Sequence, residues 1–295
     1  MSETPKSLED LRRDIDRVDD AIHDLIMRRT ALVHAIRKTK SDGLALRPGR
    51  EAMILRRLLA RHEGEFPRSV LVRIWREIMG AMVRLQSPFS VAVTAEAGGA
   101  DFLAIAREEY GAATPLTPCR SPQLAIGSVR DGTASVAIVP LPRDGEEKPW
   151  WPYLVGGQKD RPRIAARIPF ASSGRATAPE ALVIARLEQI ESGEDRSFLA
   201  VETDDTLSRT RLKELFGQVG LATRHQVSYF DSEDRRRWLH LGEVDQFVRP
   251  DDERLEKLKA AAQARSVVHL GGYPVPIAAA LLGNARAGDA AAVPP

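Results

Sequence analysis

The longest periodic stretch of the chain covers residues 8–40 and reads LEDLRRDIDRVDDAIHDLIMRRTALVHAIRKTK. Apolar side chains recur in it at intervals of three and four, which places them on one face of an α-helix. They are Leu8, Leu11, Ile15, Val18, Ile22, Leu25, Ile26, Leu32, Val33 and Ile36. Ser7, followed three residues later by Asp10, is typical of a helix N-terminus, and Ser41-Asp42-Gly43 ends the pattern. The stretch therefore predicts one long amphipathic helix.

The length of this helix has a consequence for assembly. At 1.5 Å per residue it extends about 50 Å, which is too long for its apolar face to be covered inside a small lone domain. The helix needs a partner of similar length, and we expect that partner to be another copy of the chain.

Two shorter helices are predicted to follow. The second begins after Pro48-Gly49, and the third runs from about residue 69 to Gln86, where Ser87-Pro88 ends it. Both carry apolar residues at helical spacing on one face. Residues 1–87 are therefore predicted to form an all-helical, three-helix domain.

The rest of the chain changes to short strands and helices. Residues 88–190 show a strand–helix–strand–helix–strand order, which predicts a small α/β domain with a parallel sheet. Residues 195–277 show the βαββαβ order of a ferredoxin-like unit. Residues 278–295, rich in Ala, Gly and Pro, predict a flexible tail. The predicted fold class is a multidomain protein, α followed by α/β.

Composition excludes several classes of protein. The chain has 295 residues, of which 43% are hydrophobic and 28% charged, as is ordinary for a globular protein. Cys119 is the only cysteine, so neither a disulfide framework nor a Cys-rich zinc site is possible. No apolar run reaches membrane-spanning length and no secretory signal is recognisable, so we expect a cytoplasmic protein without a membrane partner. No metal or cofactor is predicted.

Charge is unevenly distributed. The net charge is only +2, but residues 1–87 hold 18 Lys and Arg against 13 Asp and Glu, with Phe66 and Trp75 as their only aromatic side chains. A basic helical segment of this kind suits a phosphate backbone, an anionic metabolite, or nothing beyond solvation. The weak overall charge argues against a nucleic-acid partner.

Some of these cations are placed as a ligand site would require. Arg29 and Lys40 are eleven residues apart, which puts them about 20° apart on one helix face. Arg29 also interrupts the apolar stripe, and a cation turned inward needs an anion. Arg12 lies about 25 Å from Arg29 along the helix, so it reaches the same small ligand only from an antiparallel second copy. The other candidates for that pocket stand near the ends of the later helices: Arg50, Glu51 and Gln86.

The same residues carry a family resemblance. Residues 11–19 (LRRDIDRVD), Arg28-Arg29, Lys38-Thr39-Lys40, residues 50–55 (REAMIL) and Gln86 resemble, in order and spacing, the all-helical chorismate mutase family over about 80 residues. The resemblance implies an intertwined homodimer with two equivalent sites, each completed by the first helix of the partner. It also implies the rearrangement of chorismate to prephenate, in phenylalanine and tyrosine biosynthesis, without a cofactor.

The resemblance assigns roles to the candidate residues. Arg29 and Arg12 of the partner subunit would bind the two carboxylates of chorismate, a task that suits the bidentate guanidinium group. Lys40 and Gln86 would face the ether oxygen, where negative charge grows as the C–O bond breaks. Glu51 would accept a hydrogen bond from the ring hydroxyl, and Arg50 would shape that side of the site. Lys40, Gln86, Arg29 and Glu51 are thus the expected catalytic residues.

Two positions depart from the family pattern. Arg47 stands where a carboxylate is common, and Met82 stands where a small hydroxyl residue is common. Both departures concern the side that binds the ring hydroxyl. We expect weaker affinity from them rather than loss of activity.

Beyond the helices, the chain resembles the bifunctional mutase–prephenate dehydratases in layout. The matching stretches are residues 91–93 (VAV), 134–140 (ASVAIVP) and 181–186 (ALVIAR), with 271–274 (GGYP) where a regulatory ACT domain ends. However, residues 179–181 (PEA) replace the dehydratase signature Thr-Arg-Phe, and residues 140–179 are too few for a second lobe. The sequence therefore predicts a chorismate mutase with a non-catalytic, regulatory C-terminal region. The alternatives are a bifunctional mutase–dehydratase and a non-enzymatic sensor of an anionic metabolite.

Overall fold

The computed structural model describes residues 6–39, 43–95, 101–156, 160–171, 179–232 and 236–283. Three helices come first: α1 (Leu8–Thr39), α2 (Pro48–Ala60) and α3 (Arg68–Gln86). Their number and bounds confirm the helices predicted from the sequence.

The first helix begins at a reciprocal cap. Ser7 Oγ accepts a hydrogen bond from the Asp10 backbone N–H at 3.2 Å, and Asp10 Oδ2 accepts one from the Ser7 N–H at 3.3 Å. These bonds satisfy two N–H groups at the start of the helix, where backbone donors lack helical partners. The predicted helix start is confirmed.

The long first helix is largely uncovered. It packs against α3, yet none of its 32 residues, all of which the structure describes, is buried. Its large apolar side chains form what we call the α1 stripe, exposed over at least 48% of their surface: Leu8, Leu11, Ile15, Val18, Ile22, Leu25, Leu32 and Ile36. A continuous exposed apolar surface of this size marks an interaction site.

A parallel βαβ arrangement follows the helices. Its elements are β1 (Val91–Thr94), α4 (Phe102–Tyr110), β2 (Leu116–Cys119), α5 (Pro122–Arg130) and β3 (Val136–Pro140). The next two strands are β4 (Arg163–Ile168) and β5 (Ala181–Ala185). β1 pairs in parallel with both β2 and β3. The predicted parallel sheet is therefore confirmed, and β5 extends it by pairing antiparallel with β3.

The predicted βαββαβ order is also present. Its elements are β6 (Asp195–Thr203), α6 (Arg209–Gln218), β7 (Thr223–Asp231), β8 (Arg237–Val244), α7 (Glu253–Ala261) and β9 (Ser266–Pro274). The four strands lie in the order β9-β6-β8-β7, and each neighbouring pair is antiparallel.

All nine strands form one sheet in the order β2-β1-β3-β5-β4-β9-β6-β8-β7. The join is the parallel pairing of β4 with β9, where Ile164 faces Gly271. Gly271 has φ +105°, and a Cβ there would lie 2.2 Å from the Ile164 carbonyl oxygen, so only glycine fits. Trp151, Phe198 and Tyr273 share one buried cluster across this join. The two predicted units therefore share one sheet and one buried cluster. Their division into separate domains stays a prediction.

The chain after β9 differs from the predicted flexible tail over its first residues. Ala279–Leu282 is a short 3₁₀ helix, and Leu282 is buried against Val72, Met79 and Phe170. The Ala-rich composition hides this single large apolar anchor. Residues 284–295 lie outside the described part of the chain. None of the described helices is both long and apolar enough to cross a membrane.

Candidate functional site

A cavity of about 440 Å³ lies among α1, α3 and the beginning of α2. Its wall includes four of the residues selected from the sequence: Arg29, Arg50, Glu51 and Gln86. Arg29 comes from α1, Arg50 and Glu51 come from the first turn of α2, and Gln86 is the last residue of α3, so the cavity depends on how the helices pack. The roles assigned to these residues stay predictions.

Arg29 presents a buried donor group to this wall. Its Nη1 atom is buried and has no hydrogen-bond partner among the described residues. Burial lowers the pKa of the guanidinium group, and the negative charge of Glu51 opposes that shift. An arginine keeps its charge despite such a shift, so the unpaired N–H favours an anion in the cavity.

Gln86 lies at the end of α3, and its side chain turns back to its own helix. Its Nε2 donates to the Met82 backbone carbonyl at 3.0 Å. The Met82 sulfur in turn lies 3.7 Å from the Thr30 hydroxyl of α1. Because a carboxamide has two N–H donors, Gln86 keeps one for a ligand without breaking this bond.

Glu51 is held by an ion pair with Arg76, a residue that was not among those predicted from the sequence. Arg76 Nη1 of α3 donates to Glu51 Oε2 at 3.0 Å, and Arg76 Nη2 lies 2.9 Å from Glu109 Oε1 of α4. Glu109 Oε2 accepts a hydrogen bond from the Phe170 N–H at 3.2 Å. Glu51 Oε1 receives no hydrogen bond from the described residues, so it is available to a ligand.

The sequence contains a pattern that could have identified Arg76 and Glu109 as buried charged residues. Arg76 falls on the buried stripe of α3 between Val72 and Met79, and Glu109 falls beside Ile105 on that of α4. A charged residue at an apolar stripe position needs a partner of opposite charge, as Arg29 does. The local sequence pattern, however, does not show that the buried faces of α3 and α4 pack against each other.

Two further cations line the cavity. Arg37 Nη1 donates to the Leu85 carbonyl at 3.1 Å, and Arg47 Nη1 donates to the Leu46 carbonyl at 2.7 Å and to that of Leu44. Arg47, which stands where the family commonly has a carboxylate, thus directs its donors to its own backbone. The lining holds four arginines and one carboxylate, which suits a small ligand with two negative charges.

Of the two remaining predicted residues, the structure describes only Arg12. Arg12 is exposed near the start of α1 and does not line the cavity. This agrees with the distance along the helix and leaves the contribution of Arg12 to a second copy as a prediction. Lys40 lies outside the described residues.

Comparison with known proteins identifies the helical region. Residues 11–87 match the family model of Chorismate mutase type II. The Bifunctional chorismate mutase/prephenate dehydratase of Aquifex aeolicus is 31% identical over 142 residues, 46% of this chain and 39% of that protein. The protein of the same name from Neisseria gonorrhoeae is 33% identical over 81 residues, 28% of this chain and 22% of that protein. The resemblance to chorismate mutases is confirmed.

The likeness reaches beyond the helices but remains partial. An alignment of 142 residues necessarily includes part of the α/β region, because the helices end at residue 86. The chain nevertheless spans only about two fifths of that relative's length. Among solved structures, prephenate dehydratase from Streptococcus mutans is 16% identical, with 64% of this chain and 98% of that one covered and a TM-score of 0.43. The chain joins a helical region that matches the chorismate mutase model to a mixed α/β region.

Proposed function

We propose that the chain is a chorismate mutase that rearranges chorismate to prephenate within aromatic amino-acid biosynthesis. The observation that carries the proposal is a buried N–H of Arg29, without a partner in the part of the chain that the structure describes. It lies in a cationic cavity, inside the residues that match the mutase family. The cytoplasmic location stays a prediction.

The proposed mechanism is one of positioning and electrostatics. Arg29 and Arg12 of the partner subunit bind the two carboxylates and hold the enolpyruvyl side chain over the ring, in the conformer that reacts. Gln86 and Lys40 stabilise the negative charge that develops on the ether oxygen. Glu51 Oε1 accepts a hydrogen bond from the ring hydroxyl, and Arg50 lines the same side. The rearrangement is concerted, so no side chain has to transfer a proton.

The direct test follows both products in turn. The full chain is incubated with chorismate, and the formation of prephenate is followed by the decrease in chorismate absorbance. Phenylpyruvate is measured afterwards in the same reaction. We expect prephenate without phenylpyruvate. Appearance of both would favour the bifunctional alternative, and binding of chorismate without turnover would favour a metabolite sensor.

The dehydratase alternative rests on the names of the relatives. Against it, Pro179 and Glu180 occupy the positions of the dehydratase Thr-Arg signature, and Glu180 forms an ion pair with Arg167 at 2.8 Å. No threonine hydroxyl stands at that position to take part in the loss of water. We therefore assign the α/β region no catalytic step of its own.

We further propose that the mutase unit is a homodimer whose interface is the α1 stripe. Support comes from the exposure of that stripe and from the isolated position of Arg12, about 25 Å along α1 from Arg29. A second copy, antiparallel along α1, covers the stripe and brings Arg12 to the cavity. A C2 arrangement then completes two equal sites.

Introducing a charge into the stripe should dissociate the dimer. Ile22→Glu places a carboxylate at the centre of the apolar interface, where burial of an unpaired charge is strongly unfavourable. We expect monomers at micromolar concentration by sedimentation, together with loss of mutase activity. Asp20→Ala, on the opposite face of the helix, should leave the dimer intact. A dimeric Ile22→Glu protein would rule out this interface.

Exchanging Gln86 for glutamate should make the activity depend on pH. An amide does not titrate, whereas a carboxyl group must be protonated to donate to the ether oxygen, and the surrounding arginines favour its ionised form. We expect kcat/KM of Gln86→Glu, divided by that of the wild type, to rise at least about tenfold between pH 8 and pH 5, because a carboxyl group has a reference pKa near 4.3. A constant ratio at undiminished rate would show that Gln86 does not face the ether oxygen.

A further inference from the structure

A buried chain of charged groups connects the candidate mutase site to the α/β region. It passes from Glu51 of α2 to Arg76 of α3, then to Glu109 of α4, and ends at the backbone N–H of Phe170, with contacts between 2.9 and 3.2 Å. Arg76 and Glu109 are only 6% and 8% exposed. The Arg76 guanidinium also lies over the Phe170 ring, 5.1 Å from its centroid.

Arg76 is shared between two carboxylates. The guanidinium is a rigid planar fork, so the direction in which Nη2 meets Glu109 fixes the direction in which Nη1 meets Glu51. A buried charge that loses one partner is strongly destabilised, and its side chain shifts toward whatever polar group remains. The position of the Glu51 carboxylate therefore depends on Glu109.

The packing of α3 on α4 keeps this geometry rigid. A Cβ on Gly80 would lie 2.2 Å from the Tyr110 carbonyl oxygen, so glycine is what allows the two helices to approach so closely. Arg84 Nη1 donates to the same carbonyl at 3.0 Å, and the Ala112 N–H donates to Glu77 Oε1 at 3.1 Å. These contacts between α3 and the end of α4 hold Glu109 against Arg76.

We infer that Glu109 is a positioning residue for the mutase reaction, acting through Arg76 on Glu51. Glu109 lies outside residues 11–87, the part that matches the mutase family, so the α/β region completes the mutase site. Burial favours the neutral form and raises the pKa of Glu109, whereas Arg76 opposes that shift. The inference rests on the proposed mutase function.

The first test compares two neighbouring glutamates in the full chain. Glu109→Gln keeps the shape and removes the charge, and Glu108→Gln makes the same change at an exposed position of the same helix. We expect Glu109→Gln to lower kcat/KM for chorismate at least about tenfold, which is the value of one charged hydrogen bond. Glu108→Gln should stay within about twofold, as surface substitutions usually do.

A double-mutant cycle separates positioning from general damage. If Glu109 acts through Glu51, Glu51→Gln and the double variant Glu51→Gln/Glu109→Gln should have the same kcat/KM, because neighbouring residues in one network are not additive. Glu109→Asp, which keeps the charge, should recover part of the activity and replaces Glu109→Gln in the cycle if that variant does not fold.

The outcomes separate this inference from the function on which it rests. An inactive wild-type chain overturns the proposed function and this inference with it. An active wild type combined with an unchanged Glu109→Gln, or with fully additive effects in the cycle, overturns the positioning role alone.

Discussion

Replacing Arg29 with alanine should lower kcat/KM for chorismate by about 30- to 4,000-fold. Truncating one partner of a buried, hydrogen-bonded charge pair costs about 2–5 kcal/mol, and each 1.4 kcal/mol is a factor of ten. Arg29 has a buried N–H without a partner in the described residues, so a bound carboxylate would complete such a pair. The same variant should be at least as stable as the wild type, because the free protein loses a buried N–H that has no hydrogen-bond partner among the described residues.

The matched control for this variant is the preceding residue. Arg28→Ala removes the same group from an exposed position that does not line the cavity, so its kcat/KM should stay within about twofold of the wild type. Steady-state kinetics and thermal unfolding of both variants make the comparison. If Arg29→Ala retains nearly normal kcat/KM, the cavity is not the mutase site.

Mixing two inactive variants should restore activity. In an Arg12→Ala/Arg29→Ala heterodimer, one site receives both substitutions and the other receives neither. Random exchange makes about half of the dimers mixed, each with one intact site of two, so activity should return to about one quarter of the wild-type value. Relative to either parent variant, this is a rise of at least about sevenfold, given a loss of about 30-fold or more for a single buried charge pair.

The exchange itself has to be measured. Differently tagged variants are mixed, allowed to equilibrate and assayed first as the mixture. Heterodimers are then isolated by their two tags, and these should have about half of the wild-type activity, because one of their two sites is intact. A heterodimer carrying both substitutions on one chain, with a wild-type partner, damages each site once and should have little activity. If the heterodimer of single variants is no more active than its parents, Arg12 and Arg29 do not share a site across subunits.

Local patterns were sufficient to predict the helices and their ends. The interval of three and four in α1, the cap formed by Ser7 and Asp10, and the break at Ser87-Pro88 all act within a few residues. The order of the βαβ and βαββαβ elements was also predictable, because apolar residues recur at a different spacing in strands and in helices. The buried position of Leu282 was missed because its neighbours in sequence are small and uninformative.

The site was predictable only in part, because local sequence patterns do not record long-range packing. Arg29, Arg50, Glu51 and Gln86 stand at distinctive helix positions and line the same cavity. Arg76 and Glu109 belong to helices whose mutual packing depends on Gly80 and on long-range contacts, which no local period records. The pairing of β4 with β9 is of the same kind, since it joins residues more than a hundred positions apart.

The central place of β9 in the sheet also governs the order in which the molecule can be built during translation. β9 follows every other strand in the chain, yet it lies between β4 and β6 and connects the two halves of the sheet. While a ribosome is still making the preceding residues, β4 and β6 each present an open edge with unsatisfied backbone groups. Only when the last strand emerges can both edges close, so nascent chains shorter than about residue 274 should be the species that chaperones retain.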